Sequence, residues 1–173
     1  MVSKSDDNGA PAKAEGERKL LSARGMARLA AVQALYQMDV ARTDARVVID
    51  EFTRHRFHGE AEKAHYERTD EAFFRSLVLG VVDKQRDVDP LIGVHLAKGW
   101  RLARIDSILR AILRAAAFEL QDRRDVPVKV IINEYVDIAH AFFGGEEPGV
   151  VNGILDAMAR DVRSGEIKDR VHG

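Results

Sequence analysis

Ile105, Ile108, Leu109, Ile112, Leu113, Ala116 and Leu120 recur at steps of three and four residues. At 3.6 residues per turn that spacing lines one face of an α-helix for about four turns; a strand, with a side-chain period of two, would scatter it over both faces. Arg101, Arg104, Arg110 and Arg114 lie largely off the stripe. Such a helix must bury its apolar face against other elements, which are either more helices or a sheet. Nowhere does the chain sustain an apolar–polar alternation bounded by turn residues. The partners are therefore helices, and the fold class is all-α.

The other segments repeat the pattern. Leu29, Val32, Leu35, Tyr36 and Val40 predict a first helix from about Ser22, and Val47, Val48, Ile49 and Phe52 a short second one, closed by the polar stretch 55–67. Thr69 reads as the N-cap of a third, carrying Phe73, Phe74, Leu77, Val78, Val81 and Val82. Pro90 sits near the start of a fourth, with Leu91, Ile92, Val94 and Leu96, ended around Gly99. The 105–120 stripe is the fifth. Asp125 and Pro127 form a cap and first-turn pair for a sixth, with Ile131, Tyr135, Ile138 and Phe142 on one face and Gly144 and Gly145 as its stop. Pro148 opens a seventh, which turns Val151, Ile154, Leu155 and Met158 inward. This makes a bundle of about seven helices, with a joint near Gly99 and Trp100 dividing it into two small subdomains on a shared core. No internal repeat indicates a solenoid. Residues 1–17, MVSKSDDNGAPAKAEGE, have too little apolar surface to offset chain entropy and read as a disordered tail; 18–165 form the folded domain and 166–173 a C-terminal tail.

At 173 residues the chain makes one domain, or at most two very small ones. It has no cysteine, which removes disulfides, thiol nucleophiles and iron–sulfur clusters and suits a reducing cytoplasm. The longest apolar run, 77–82, is too short to span a bilayer, and the N-terminus lacks the apolar stretch of a secretory signal. Lys and Arg number 27 against 28 Asp and Glu, so a uniformly basic coat is excluded while a local basic patch is not.

Catalytic chemistry finds no foothold. Gly144 to Gly149 has the outer glycine spacing of a phosphate loop, but Val150 and Val151 stand where Lys and Ser or Thr belong, and Glu146 and Glu147 would repel the phosphate; a turn between helices explains it. His55, His58 and His65 lie near Glu60 and Glu62, yet H-E-x-x-H is absent and solvated loop histidines account for them. His95 and His140 are single and intrahelical. Asp83, Asp87 and Asp89 precede Pro90, where acids favour a helix N-terminus without a metal. No G-x-S-x-G, S-x-x-K or G-x-G-x-x-G motif is present. The chain reads as a non-enzyme without a cofactor or metal site.

One feature remains. Arg18, Lys19, Arg24 and Arg28 bring four positive charges and no acid into residues 18–28. Arg24 and Arg28, four apart, are neighbours on one helical face. A basic arm leading into a basic helix end suits a phosphodiester backbone, because guanidinium groups bind phosphate bidentately and each neutralised phosphate releases counterions.

The residues then resemble a known family. The segment MARLAAVQALYQ at 26–37 resembles the first helix of the NusB transcription antitermination factors. ILRAILRAAAFEL at 108–120 resembles their long middle helix. VPVKVIINE at 126–134, then Phe143-Gly144 and VNGILD at 151–156, resemble their C-terminal signature. The resemblance runs from about Ser22 to about Arg163. It implies an all-α fold of two small helical subdomains and a non-enzymatic role. With the ribosomal protein NusE, family members bind boxA-type single-stranded RNA of ribosomal RNA operon transcripts and help RNA polymerase read through terminators. Carried over, the arginine-rich motif falls on Arg24 and Arg28 and extends to Arg18 and Lys19. Gln33 is implied as a base-edge contact, Asn152 as a hydrogen-bonding contact and Lys129 as a backbone contact. Tyr36 is either a core residue or the edge of a partner interface; Arg114 and Glu119 either pair within their helix or touch the partner.

Two departures stand out. Gly25 and Met26 interrupt the arginine run, and Val150 occupies the position before Val-Asn-Gly where many members carry an aromatic. Fewer phosphate contacts and a missing π-face imply weaker intrinsic RNA affinity and more reliance on the protein partner. The alternative is a helical adaptor whose basic arm docks an acidic protein. The appended NusB-like domain of rRNA methyltransferases is a third reading; without a Rossmann domain this chain is not expected to methylate. The oligomeric state, monomer or homodimer, stays open.

Overall fold

The computed structural model describes residues 22–58 and 69–171. Arg18, Lys19, Glu60, Glu62, His65 and the 1–17 tail lie outside them. The described residues form α1 (Ala23–Ala41), α2 (Ala45–Glu51), a π-helical turn (Phe52–Phe57), α3 (Glu71–Asp83), α4 (Gln85–His95), a 3₁₀ turn (Leu102–Arg104), α5 (Ser107–Asp122), α6 (Val128–Phe142), α7 (Glu147–Val162) and α8 (Ser164–Val171), with no strand among them. None of these helices is long and apolar enough to cross a membrane.

The 105–120 stripe becomes α5, the axis of the bundle, contacting α1, α3, α4, α6 and α7. Asp106 caps it, accepting from the Ile108 and Leu109 N–H groups at 2.8 and 3.1 Å. Its alanines, Ala111, Ala115, Ala116 and Ala117, are all buried, as are Ala27, Ala30, Ala31 and Ala34 of α1. Small side chains on both helices let their backbones pack closely. At the α3 crossing the Phe118 ring lies directly over Gly80, where a Cβ would fall 2.2 Å from the ring. One continuous core runs through both halves of the chain.

Several expectations need correction. Asp70, not Thr69, caps α3, its carboxylate accepting from the Phe73 N–H at 3.0 Å. The fourth helix starts at Gln85, so Pro90 lies inside it and removes one intrahelical hydrogen bond. Asp125 does not cap α6, whose N-cap is Pro127; the Val128 N–H instead donates to Glu166 Oε1 at 2.9 Å, a cap brought from α8. The stretch expected as C-terminal tail from 166 is helical as far as Val171, as part of α8. The first residues of the polar stretch, 55–57, belong to the π turn, whose Phe52 and Phe57 bury their rings with Phe74, centroids 5.0–6.4 Å apart. Tyr36 is 39% exposed, which overturns its core reading.

Candidate nucleic-acid interface

The N-terminus of α1 meets the start of α3 and the loop after α5. Ser22 caps α1 by accepting from the Gly25 N–H at 3.0 Å, and the Asp70 N–H donates to the Ala23 carbonyl at 3.1 Å. On this platform the guanidinium carbons of Arg24, Arg28 and Arg123 lie 4.5, 5.0 and 5.1 Å from the centroid of the buried Phe73 ring. Cations over an aromatic face are held by its quadrupole.

Arg24 and Arg28, one turn apart, have opposite fates. The Arg24 side chain is 43% exposed and sits 3.8 Å from both Asp70 and Asp125, loose ion pairs at a solvated edge. The Arg28 side chain is 2% exposed and donates bidentately to Glu119, 2.9 Å on each arm. Glu119 is fully buried and also accepts from the Tyr135 hydroxyl. Burial alone would pull the Arg28 pKa down, but the hydrogen bonds and charge of Glu119 outweigh it and hold the guanidinium above its ordinary value. Burial likewise pushes the Tyr135 phenol well above 10, and it raises the Glu134 carboxyl against the opposing pull of Arg28. Arg28 and Glu119 thus form a buried pair joining α1 to α5 and α6. The expectation of a surface guanidinium at 28 and a partner-contacting carboxylate at 119 gives way: both are buried and bonded to each other, with Glu134 a second, looser carboxylate 3.9 Å from Arg28.

Arg114 pairs with Asp89 of α4 at 2.9 and 3.0 Å and is mostly buried, so its ion pair runs between helices rather than within its own. Lys129 is exposed in the first turn of α6. Asn152 is exposed on α7, and its side chain makes no hydrogen bond among the described residues. Gln33 faces a different place: its Oε1 accepts from Arg56 at 3.0 Å in a groove of ≈ 400 Å³ lined also by Tyr36, Val40 and Phe142. Arg24 therefore shares a neighbourhood with the α5–α6 loop, while Gln33 and Tyr36 share another.

Sequence reasoning missed what shapes that loop. Arg163, 2% exposed, donates to the carbonyls of Glu119 (2.8 Å), Leu120 (2.8 Å), Arg123 (2.7 Å) and Val126. It bonds the Leu120 and Val126 carbonyls, adds a second donor to the Glu119 and Arg123 carbonyls, which already accept from the Arg123 and Val126 N–H groups, and so holds the turn that presents Arg123 and Arg124. Arg123 in turn pairs bidentately with Asp125 at 3.0 Å, and those hydrogen bonds hold the exposed Asp125 carboxyl below its usual range. A run of Arg123-Arg124 was visible in the sequence, but nothing local tied it to Arg24.

Among the described residues no three His, Asp or Glu side chains converge on a metal-sized site. His58 meets Glu71, and Asp89 is taken by Arg114.

A family model described as the NusB family matches residues 26–160, most of the chain. The chain belongs to the NusB family. The transcription antitermination protein NusB of Rhodopseudomonas palustris (strain BisB18) is 53% identical over 152 residues, covering 88% of this chain and 89% of that one. Its counterpart in Rhizobium rhizogenes is 52% identical over 162 residues, covering 94% and 97%. Among solved structures, T. maritima NusB superposes with a TM-score of 0.67 at 27% identity over 84% of this chain and 96% of that one. A chain of the crystal structure of antitermination factors NusB and NusE in complex with dsRNA shares the fold, with a TM-score of 0.66 at 19% identity over 80% of this chain and 97% of its own. The NusB match begins at Met26, so Arg18, Lys19 and Arg24 precede it, whereas Gln33, Tyr36, Lys129 and Asn152 lie within it.

Proposed function

We propose that this NusB-family protein is a transcription antitermination factor that acts by assembly, not catalysis. It binds boxA-type single-stranded RNA of ribosomal RNA operon transcripts together with NusE, and the complex works on RNA polymerase in the cytoplasm. The observation that carries this reading is the identity of 52–53%, over nearly the whole chain, to relatives named transcription antitermination protein NusB.

Within that reading the RNA backbone runs over the α1 N-terminus, contacted by Arg24 and by Arg18 and Lys19 ahead of it. Lys129 adds a phosphate contact, Asn152 a hydrogen bond and Gln33 a base-edge contact, while Tyr36 belongs to the partner-facing groove. Arg28, Glu119 and Arg114 hold the fold and touch neither ligand. The loose 3.8 Å pairing of Arg24 supports its role, since a guanidinium so weakly engaged can exchange carboxylates for phosphate.

Fluorescence anisotropy of a labelled boxA-type RNA tests this, at low and moderate salt, with and without NusE and beside a scrambled RNA. Salt-sensitive, boxA-preferring binding that tightens with NusE is expected, and Arg24→Ala weakens it. Equal binding to both RNAs reduces the role to an electrostatic tether. Absence of binding even with NusE present overturns the RNA reading and leaves a protein-docking adaptor.

A further inference from the structure

We propose that residues 96–105 form a second single-stranded RNA contact, in which Trp100 stacks on an unpaired base while Lys98, Arg101 and Arg104 hold the flanking phosphates. Trp100 is the only tryptophan of the chain and is 49% exposed. Half of the indole is thus in water, where its face can stack on a base.

The backbone presents it deliberately. α4 ends at His95, Gly99 turns the chain at φ 87°, and the Trp100 N–H closes the turn on the Ala97 carbonyl at 2.9 Å. The 3₁₀ turn follows and is fastened by Arg110, which donates to the Leu102 and Ile105 carbonyls at 3.0 and 3.2 Å and through Nε to Asp39 of α1 at 2.9 Å. Leu102 and Ile105 pack against the core. A segment held this way loses little freedom on binding.

Its charge is one-sided. LAKGWRLARI holds three cations and no carboxylate. Lys98, Arg101 and Arg104 are exposed, and their side chains make no ion pair or hydrogen bond among the described residues. The acid that follows the segment in sequence, Asp106, is engaged as the cap of α5. Lys98, Arg101 and Arg104 flank the tryptophan along the chain, within four residues on either side. Indole and guanidinium planes among phosphate-binding cations are the equipment of a single-strand site, where stacking tolerates any base.

The placement adds reach. α1 and α5 run antiparallel, since Arg28 meets Glu119 towards one end and Asp39 meets Arg110 towards the other. Residues 96–105 therefore lie at the opposite end of α5 from Arg24, a separation of about 24 Å for its 16 residues. One strand held at both ends is bound with the gain of a linked second contact.

The lone tryptophan is its own reporter. The full chain is titrated with an unlabelled single-stranded RNA while Trp100 emission is followed, and anisotropy of a labelled copy measures total binding in parallel. Salt-reversible quenching is expected. Trp100→Ala weakens binding about fivefold or more and Trp100→Phe much less, as stacking requires. An Arg101→Ala/Arg104→Ala double variant shifts the quench to about tenfold higher RNA, whereas Arg24→Ala lowers affinity and leaves the quench at saturation intact. If anisotropy reports binding while emission stays constant, this contact falls and the α1 site stands. Quenching that is indifferent to Arg24→Ala supports this contact and removes the α1 site. Emission that responds to NusE without RNA, and not to RNA, makes the patch a protein-docking surface and overturns the proposal.

Discussion

Arg28→Ala separates a structural guanidinium from an RNA-binding one. The substitution leaves the Glu119 carboxylate fully buried with the Tyr135 hydroxyl as its remaining close partner, since Arg28 supplies both 2.9 Å bonds and the countercharge. Breaking a buried pair from one side costs roughly 3–5 kcal/mol. For a domain of this size that corresponds to a fall in Tm of roughly 6–20 °C, at about 2–4 °C per kcal/mol. Removing both charges with shape roughly kept, as in Arg28→Met/Glu119→Leu, restores much of the loss; the Tyr135 hydroxyl then lacks its acceptor, a penalty of about 1–3 kcal/mol. Urea unfolding followed by circular dichroism gives the free energies, and RNA anisotropy at a temperature where each variant is folded gives the affinities. The expected result is a large stability loss for the single variant, partial recovery in the double, and near-unchanged affinity of the folded fraction. An Arg28→Ala protein as stable as the parent but binding RNA tenfold more weakly would refute the reasoning.

Tyr135 carries a pH prediction. Its folded pKa lies well above 10, so its contribution is fully present below the unfolded value near 10 and is lost as pH rises beyond it; Tyr135→Phe, less stable at neutral pH, closes the gap above pH 10 in urea melts. Gly80→Ala drives a methyl into the Phe118 ring and lowers stability by about 1–3 kcal/mol, read from the urea midpoint. Glu166→Ala removes the cap on Val128 and one partner of Arg163, a loss of about 0.5–2 kcal/mol by thermal melting. Asp125→Ala frees Arg123 and removes one of the two loose carboxylate partners of Arg24, leaving Asp70; RNA affinity rises a fewfold at low salt, the gain shrinks at high salt, and stability changes by less than about 1 kcal/mol.

Much of the fold was legible because helix periodicity is a local property. Most of the predicted stripe, Leu109, Ile112, Leu113, Ala116 and Leu120, is buried, with Ile105 and Ile108 half-buried at its start; of the α3 face Phe73, Phe74, Leu77, Val78 and Val81 are buried while Val82 is exposed; and the inward residues of α7 are buried. Boundaries failed where the deciding partner was remote or the alternatives adjacent. Thr69 and Asp70 are both good caps, and only the geometry at Phe73 selects the second. The α6 cap comes from Glu166, 38 residues away, which no window along the chain would join to Val128.

The site divides along the same line. Charge density alone marks residues 18–28 as a basic end, and the order of motifs is enough to resemble the NusB family. What the sequence could not decide is which cation stays in water. Arg24 and Arg28 share a helix face and a side-chain type, yet one is exposed and the other buried, because Glu119, 91 residues on, reaches only the second. Tyr36 sits on the apolar face of α1 by periodicity but lies where neighbouring helices no longer cover it. Periodicity fixes which residues face together; whether that face meets core, countercharge or solvent depends on contacts between distant segments, and only the packed structure brings those together.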